Sequence, residues 1–362
     1  MFQELDPYRV ALDENSLPHI LERSRKRIER DLADEPEAQD ELRATIGVVY
    51  RNLGLVRPAR ELLQQVVAFR RRTLGEEHPD TLVAKNDLAN VYSAAARHKE
   101  AEELYRQVLA SRRRVLGEEH TDTLKAMSNL ANGYRHQARL KEAEDMNLQV
   151  IARFRRVSGD RHPDTLKAMT NLANLYALQG RLRRAEELHR RVLQIRRGLL
   201  RPEHPDTLAS MTSLANVVST RGRPREAEEL QRRAFAISRR VLGEAHPDTL
   251  MYRENLANAY YEQGRLDEAE KLYREVLALR RRVQGEEHPD TVASMNNLAI
   301  LARDRDRPKE AADLLRRGLE IHRRVLGPEH PSTLTSMSNL VAVHAMQGRL
   351  AEAEALQRRT GA

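Results

Sequence analysis

His78-Pro79-Asp80-Thr81-Leu82 decides the fold, because it comes back. It returns as His120-Thr121-Asp122-Thr123-Leu124 and then at His162, His204, His246, His288 and His330, each histidine 42 residues after the last. A fixed period of this length marks a stacked array and outranks any single residue. The 362-residue length would otherwise suggest roughly two or three globular domains, but a solenoid grows by adding units to one continuous core. The composition agrees, with 40% hydrophobic and 32% charged residues and an Ala/Leu/Glu/Arg bias that favours helix. An all-α chain is expected.

Residues 79–117 show the logic of one unit. Pro79 suits the first position of a helix and Asp80 complements its dipole. Leu82, Leu88 and Tyr92 run along one apolar stripe, joined in other units by Met127, Met169, Met211, Met295 and Met337. Gly180, Gly222, Gly264 and Gly348 stand where a left-handed residue closes this first helix. Ala96, Ala138 and Asp306 replace that glycine, so those turns are expected to differ or to carry strain. The second helix opens acidic (Glu100, Glu102, Glu103) and ends basic (Arg112, Arg113, Arg114), again matching the dipole. One position is alanine in all eight units, from Ala59 through Ala185 to Ala353, which predicts a close helix contact that a larger side chain would overpack.

The first unit begins near residue 36, and the others near 79, 121, 163, 205, 247, 289 and 331, giving an array over 36–362. Residues 1–35 precede it: 1–14 read as a lead-in, and Ser16 to about Leu32 as a helix covering the open end. The N-terminus lacks the basic start and apolar middle of a signal peptide, and no apolar run approaches 18 residues, so a cytoplasmic chain with no membrane partner is expected. The absence of cysteine excludes disulfides and thiolate zinc sites.

Asn171-Leu172-Ala173-Asn174-Leu175-Tyr176 in the first helix, with Gly264-Arg265-Leu266-Asp267-Glu268-Ala269-Glu270 entering the second, resembles the tetratricopeptide (TPR) repeat. The period of 42 with Gly-Glu-Glu-His-Pro-Asp-Thr is similar to the kinesin-light-chain type, and the resemblance covers roughly residues 36–359. It implies a right-handed α-solenoid of eight TPR-like helix pairs with an N-terminal capping helix, its first helices lining a concave groove. A second resemblance rests on Arg25-Lys26-Arg27-Ile28-Glu29-Arg30-Asp31-Leu32, Pro36-Glu37-Ala38-Gln39 and Ile46-Gly47-Val48-Val49-Tyr50. This order is similar to the segment joining bacterial serine/threonine kinases to their TPR tails. It leaves open a regulatory sensor related to a kinase or ATPase tail, by analogy alone.

Successive histidine boxes are separated by two helices whose axes pack about 8–10 Å apart, too far to share one ion. No metal or cofactor is expected, and the histidines read as helix starts. Phosphate loops, zinc-protease motifs and serine-hydrolase elbows are absent, so the chain is not read as an enzyme.

The asparagines say more. Asn129, Asn171, Asn255, Asn297 and Asn339 precede the stripe leucine of their units, with Asp87 and Ser213 replacing two, and Asn90, Asn132, Asn174, Asn216 and Asn258 occupy the position three residues further on. Residues three apart share a helix face, here the one turned away from the Leu/Tyr stripe. An amide can donate to and accept from one peptide bond at once, so this ladder is expected to hold a partner's peptide by its backbone. The competing reading is that the amides only bond neighbouring helices. Lys125, Lys167, Arg135 and His136 make the third and fourth units basic, while Glu254, Tyr261, Glu262, Asp304 and Met251 make the sixth and seventh acidic or apolar. The expected ligand is therefore a protein or peptide acidic over the former and basic or apolar over the latter. The face lacks the full Lys/Arg set of the family's carboxylate clamp, so a chaperone C-terminus is not expected.

The net charge of +8 and the runs Arg70-Arg71-Arg72 and Arg280-Arg281-Arg282 raise nucleic acid as an alternative partner. Dipole-matched, solvated helix ends are the simpler reading, and 4% aromatics without tryptophan leave few stacking platforms. Self-association is a further expectation, because the final helix from Ala351 to about Arg359 has no following cover. The expected role is a non-catalytic scaffold or adaptor.

Overall fold

The computed structural model describes residues 16–328 and 330–360, and the regular structure among them is helical throughout. The lead-in at 1–14 lies outside the described residues. After α1 (Ser16–Asp31) come first helices α2 (Pro36–Asn52), α4 (Pro79–Ala94), α6 (Thr121–His136), α8 (Pro163–Leu178), α10 (Pro205–Thr220), α12 (Pro247–Glu262), α14 (Pro289–Asp304) and α16 (Pro331–Met346). They alternate with second helices α3 (Val56–Thr73), α5 (His98–Leu116), α7 (Leu140–Ser158), α9 (Leu182–Leu199), α11 (Pro224–Leu242), α13 (Leu266–Val283), α15 (Pro308–Val325) and α17 (Leu350–Thr360). The chain forms two compact units, Arg25–Arg223 and Pro224–Ala362, residues 16–24 being grouped with the second. Within each unit, consecutive helices pack as sequential antiparallel pairs, as in a TPR solenoid.

The recurring box works as a bracket between units. His78, His120, His162, His204, His246, His288 and His330 each accept, at Nδ1, the backbone N–H two residues on, at 3.1–3.3 Å. Each imidazole thereby satisfies a first-turn donor that a helix start leaves unpaired. The box threonine reaches back instead: Thr81, Thr165, Thr291 and Thr333 donate to the carbonyls of Gly75, Gly159, Gly285 and Gly327 at 2.7–2.8 Å. The glycine turn, the cap and the helix start are thus one hydrogen-bonded piece.

The glycine-like turns are kept where glycine is missing. Gly180, Gly222, Gly264 and Gly348 have φ of 71–78°, and Ala96, Ala138 and Asp306 have φ of 58°, 57° and 55°. The expected alternative of a different turn is therefore not taken; the strain is carried instead.

Gly-Arg-x-x-Glu-Ala-Glu is also a joint. The arginine lies over its own unit's tyrosine, as Arg139 over Tyr134 and Arg265 over Tyr260, each 4.2 Å from the ring centre. The same guanidinium reaches the glutamate of the preceding unit: Arg139–Glu102 at 2.8 Å, Arg181–Glu144 at 2.6 Å, Arg265–Glu228 at 2.9 Å, Arg307–Glu270 at 2.7 Å, and Arg223 with Glu186. The alanine of this segment is buried in all eight units, as the invariant small residue predicts.

Candidate functional site

Four of the predicted ladder amides are spent inside the fold. Asn90 and Asn258 accept the hydroxyls of the buried Tyr105 and Tyr273 at 2.7 and 2.5 Å. A buried phenol needs such an acceptor. Asn129 donates to Asn86 Oδ1 at 2.6 Å and Asn297 to Glu254 Oε1 at 3.1 Å, each joining one first helix to the previous one. For these four, the reading as helix-to-helix bonds is the one the geometry supports. Asn86 lies outside the expected ladder positions, one residue before Asp87, and is half-buried like it.

The remaining amides differ. Asn132, Asn171 and Asn174 make no side-chain hydrogen bond among the described residues, Asn174 is exposed, and the other two are half-buried. Asn216 on α10 is exposed at the equivalent position. Helices α4, α6 and α8 lie against one another in turn, so Asn132 and Asn174 occupy matching places on adjacent elements. Lys167 is exposed. Lys125 is exposed near Asp122 and Asp164 at 3.5 and 3.7 Å, separations that leave its ammonium loosely held. Arg135 is half-buried, its Nη2 3.0 Å from the ring of the exposed His136.

In Pro224–Ala362 the expected acidic face is smaller than predicted. Glu254 turns inward, receiving Arg280 at 2.9 Å, Ser294 at 2.9 Å and Asn297 at 3.1 Å, because the buried Arg280 requires a counter-charge. Asp304 is held by Arg303 at 2.7 Å and by the hydroxyl of Tyr261. The exposed Met251 and Glu262 and the half-buried Asn255 and Tyr261 share this face.

The arginine runs are not merely solvated helix ends. Arg70, Arg112, Arg196 and Arg280 fold inward and donate to the carbonyls of Asp80, Asp122, Asp206 and Asp290 at 2.9–3.3 Å in the first turn of the next helix. A short serine makes the room: Arg196 and Arg280 also bond Ser210 and Ser294, fourteen residues on, at 2.7 and 2.6 Å. Outer arginines meet carboxylates of the preceding unit, as Arg114 with Glu77, Arg156 with Glu119 and Arg324 with Glu287. The positive ridge that a phosphate backbone would need is largely compensated.

Among the described residues, no group of three or more side chains is placed to hold a metal ion, and no helix is long and apolar enough to cross a membrane.

Comparison with known proteins places these features. The tetratricopeptide repeat model matches residues 40–114, 122–198, 164–240, 207–281, 248–324 and 315–360. No curated protein matches the sequence. The chain is similar to a solved variant of a Podosopora anserina protein classed with kinesin light chains and built of nearly identical TPR-like repeats. The two share 33% identity over 57% of this chain and 98% of the other, with a TM-score of 0.50. BtubC (BKLC) from P. vanneervenii shares 24% identity over 62% of this chain and 89% of its own, with a TM-score of 0.50. A Rap protein complexed with Competence and Sporulation Factor matches in fold alone, at 14% identity over 93% of this chain and 99% of its own, with a TM-score of 0.53.

Proposed function

Because the chain belongs to the tetratricopeptide repeat family, we propose that it is a non-catalytic scaffold that holds an extended, acidic peptide of a partner protein on the first-helix face of residues 25–223. Proteins built of this repeat generally mediate protein binding, and the Rap relative was solved with a bound factor.

The observation that carries the reading is the contrast within the ladder. Asn90, Asn129, Asn258 and Asn297 each have a structural partner, whereas Asn132, Asn171 and Asn174 have none among the described residues. Asparagine is a poor residue for a helix interior. Its repetition on α6 and α8 without a structural bond calls for another reason, and a peptide backbone supplies both the donor and the acceptor that a carboxamide can use. Lys125 and Lys167 flank these amides on the same two helices and favour carboxylates in the ligand.

Selection from a random-peptide display library tests this. Enrichment of acidic sequences whose affinity drops when Lys125→Glu and Lys167→Glu are combined is the expected result. Peptides without acidic bias, or binding indifferent to that reversal, would refute the acidic-peptide assignment.

A further inference from the structure

The repeat supplies its own internal comparison, and the sixth unit departs from its neighbours at several places that meet. The stripe position filled by Met127, Met169, Met211, Met295 and Met337 is Arg43 in the first unit, Lys85, paired with Glu76, in the second, and Arg253 in the sixth. Its neighbours change with it: Phe235 stands where Leu193 and Leu277 stand in adjacent units, Glu275 where Arg233 and Arg317 stand, and Lys271 where Glu229 and Asp313 stand. Four departures scattered along the chain converge on one cavity of about 680 Å³ between α11, α12 and α13. That volume falls within the roughly 300–1,000 Å³ of small-molecule sites.

The cavity has an unusual floor. Arg253 is only 5% exposed, and its guanidinium lies under the Phe235 ring at 5.0 Å. Arg280, buried to a similar degree at 3% exposure, is held by three acceptors at 2.6–2.9 Å. Arg253 is held more loosely: Glu244 stands 3.4 Å and Glu275 3.5 Å away. Both glutamates belong to the surface, 60% and 41% exposed, and reach inward over the rim. A buried guanidinium has only donors to offer, and a planar carboxylate matches its fork. The walls above it are apolar or aromatic, from Phe235, Tyr260, Leu272 and Leu279. Arg239, Lys271 and Arg253 together balance the carboxylates of Glu244, Glu268 and Glu275 in the lining, which therefore carries no net charge to repel a singly charged anion.

We propose that this cavity binds a small carboxylic acid with an aromatic or apolar body, its carboxylate taking over Arg253 from Glu244 and Glu275. Arg253 and Tyr260, seven residues apart, share one side of α12, while Asn258 and Glu262 lie roughly opposite. The site is therefore separate from the first-helix face, and its occupancy does not depend on peptide binding there.

Benzoate is the first probe, titrated against the whole protein by ligand-observed NMR and by its effect on melting temperature. Saturable binding is expected, weakened by roughly tenfold or more in Arg253→Met, the loss of one charge-assisted pair. That variant restores the residue found at five sister positions and is expected to fold. Benzyl alcohol, which keeps the ring and lacks the charge, should bind correspondingly less well, and Asn132→Ala/Asn174→Ala should bind benzoate as the parent does. Absence of saturable benzoate binding, equal binding by benzyl alcohol, or undiminished binding in Arg253→Met would each overturn the assignment.

Discussion

Ala138 holds φ at 57° in a turn that glycine occupies at positions 180, 222, 264 and 348. Its Cβ is crowded in that conformation, at a cost of about 1–2 kcal/mol. Part of the relief from removing it is offset by the greater freedom glycine gives the unfolded chain. Ala138→Gly is expected to stabilise the protein by about 1 kcal/mol in urea denaturation; a destabilisation would mean the turn is not strained. The amides provide a paired test at the same scale. Asn258→Ala leaves the buried Tyr273 hydroxyl without its acceptor and should cost about 1–3 kcal/mol. Asn174→Ala removes an exposed side chain that no described residue bonds, and stability should change by no more than about 0.5 kcal/mol. Equal losses from both would remove the distinction on which the proposed binding face rests. That distinction is not legible at the asparagines themselves, which occupy the same position in their repeats. What separates them is the tyrosine fifteen residues on, Tyr273, where the fourth unit has His189.

Helices and their joints are where the sequence reads best. The box, the dipole-matched charges and the small alanine each predict a local geometry that the structure displays, since each depends only on residues near in sequence or 42 apart. The inward arginines escape such a reading, for their space is set by Ser210 and Ser294 on another helix. At the joints between repeats, Glu270 is held down to about 2, chiefly by the hydrogen bond from Arg307, with Arg274 and Arg305 adding to it. Burial alone would raise Glu186, but hydrogen bonds from Arg190, Arg223 and Arg221 prevail and lower it to about 2. A carboxylate depressed in the folded state adds stability at pH above its unfolded value, near 4.5, and that stability is lost as pH falls through about 2. The melting temperature should therefore decline steadily across that window. Glu270→Gln is expected to lower stability at neutral pH and to flatten the acid limb; an unchanged acid limb would show that the joint does not govern it.

Across the whole molecule, the net charge of +8 overstates how attractive the surface is to phosphate. Arg114, Arg156 and Arg324 each answer a carboxylate of the preceding unit, and Arg70, Arg112, Arg196 and Arg280 turn inward. A random oligonucleotide is expected to bind only at low salt and to be released by about 150 mM salt in a gel-shift titration. Retention above that would return the arginine runs to consideration as an interface. The central claim concerns the other surface, and one comparison tests it most directly. An acidic peptide selected on the parent protein is titrated against the parent and against Asn132→Ala/Asn174→Ala, with the melting temperature of each recorded alongside. The account predicts that affinity falls by about 1–3 kcal/mol per amide engaged while the melting temperature is unchanged. Full affinity with a lowered melting temperature would contradict it, making these two amides part of the scaffold like Asn90 and Asn258.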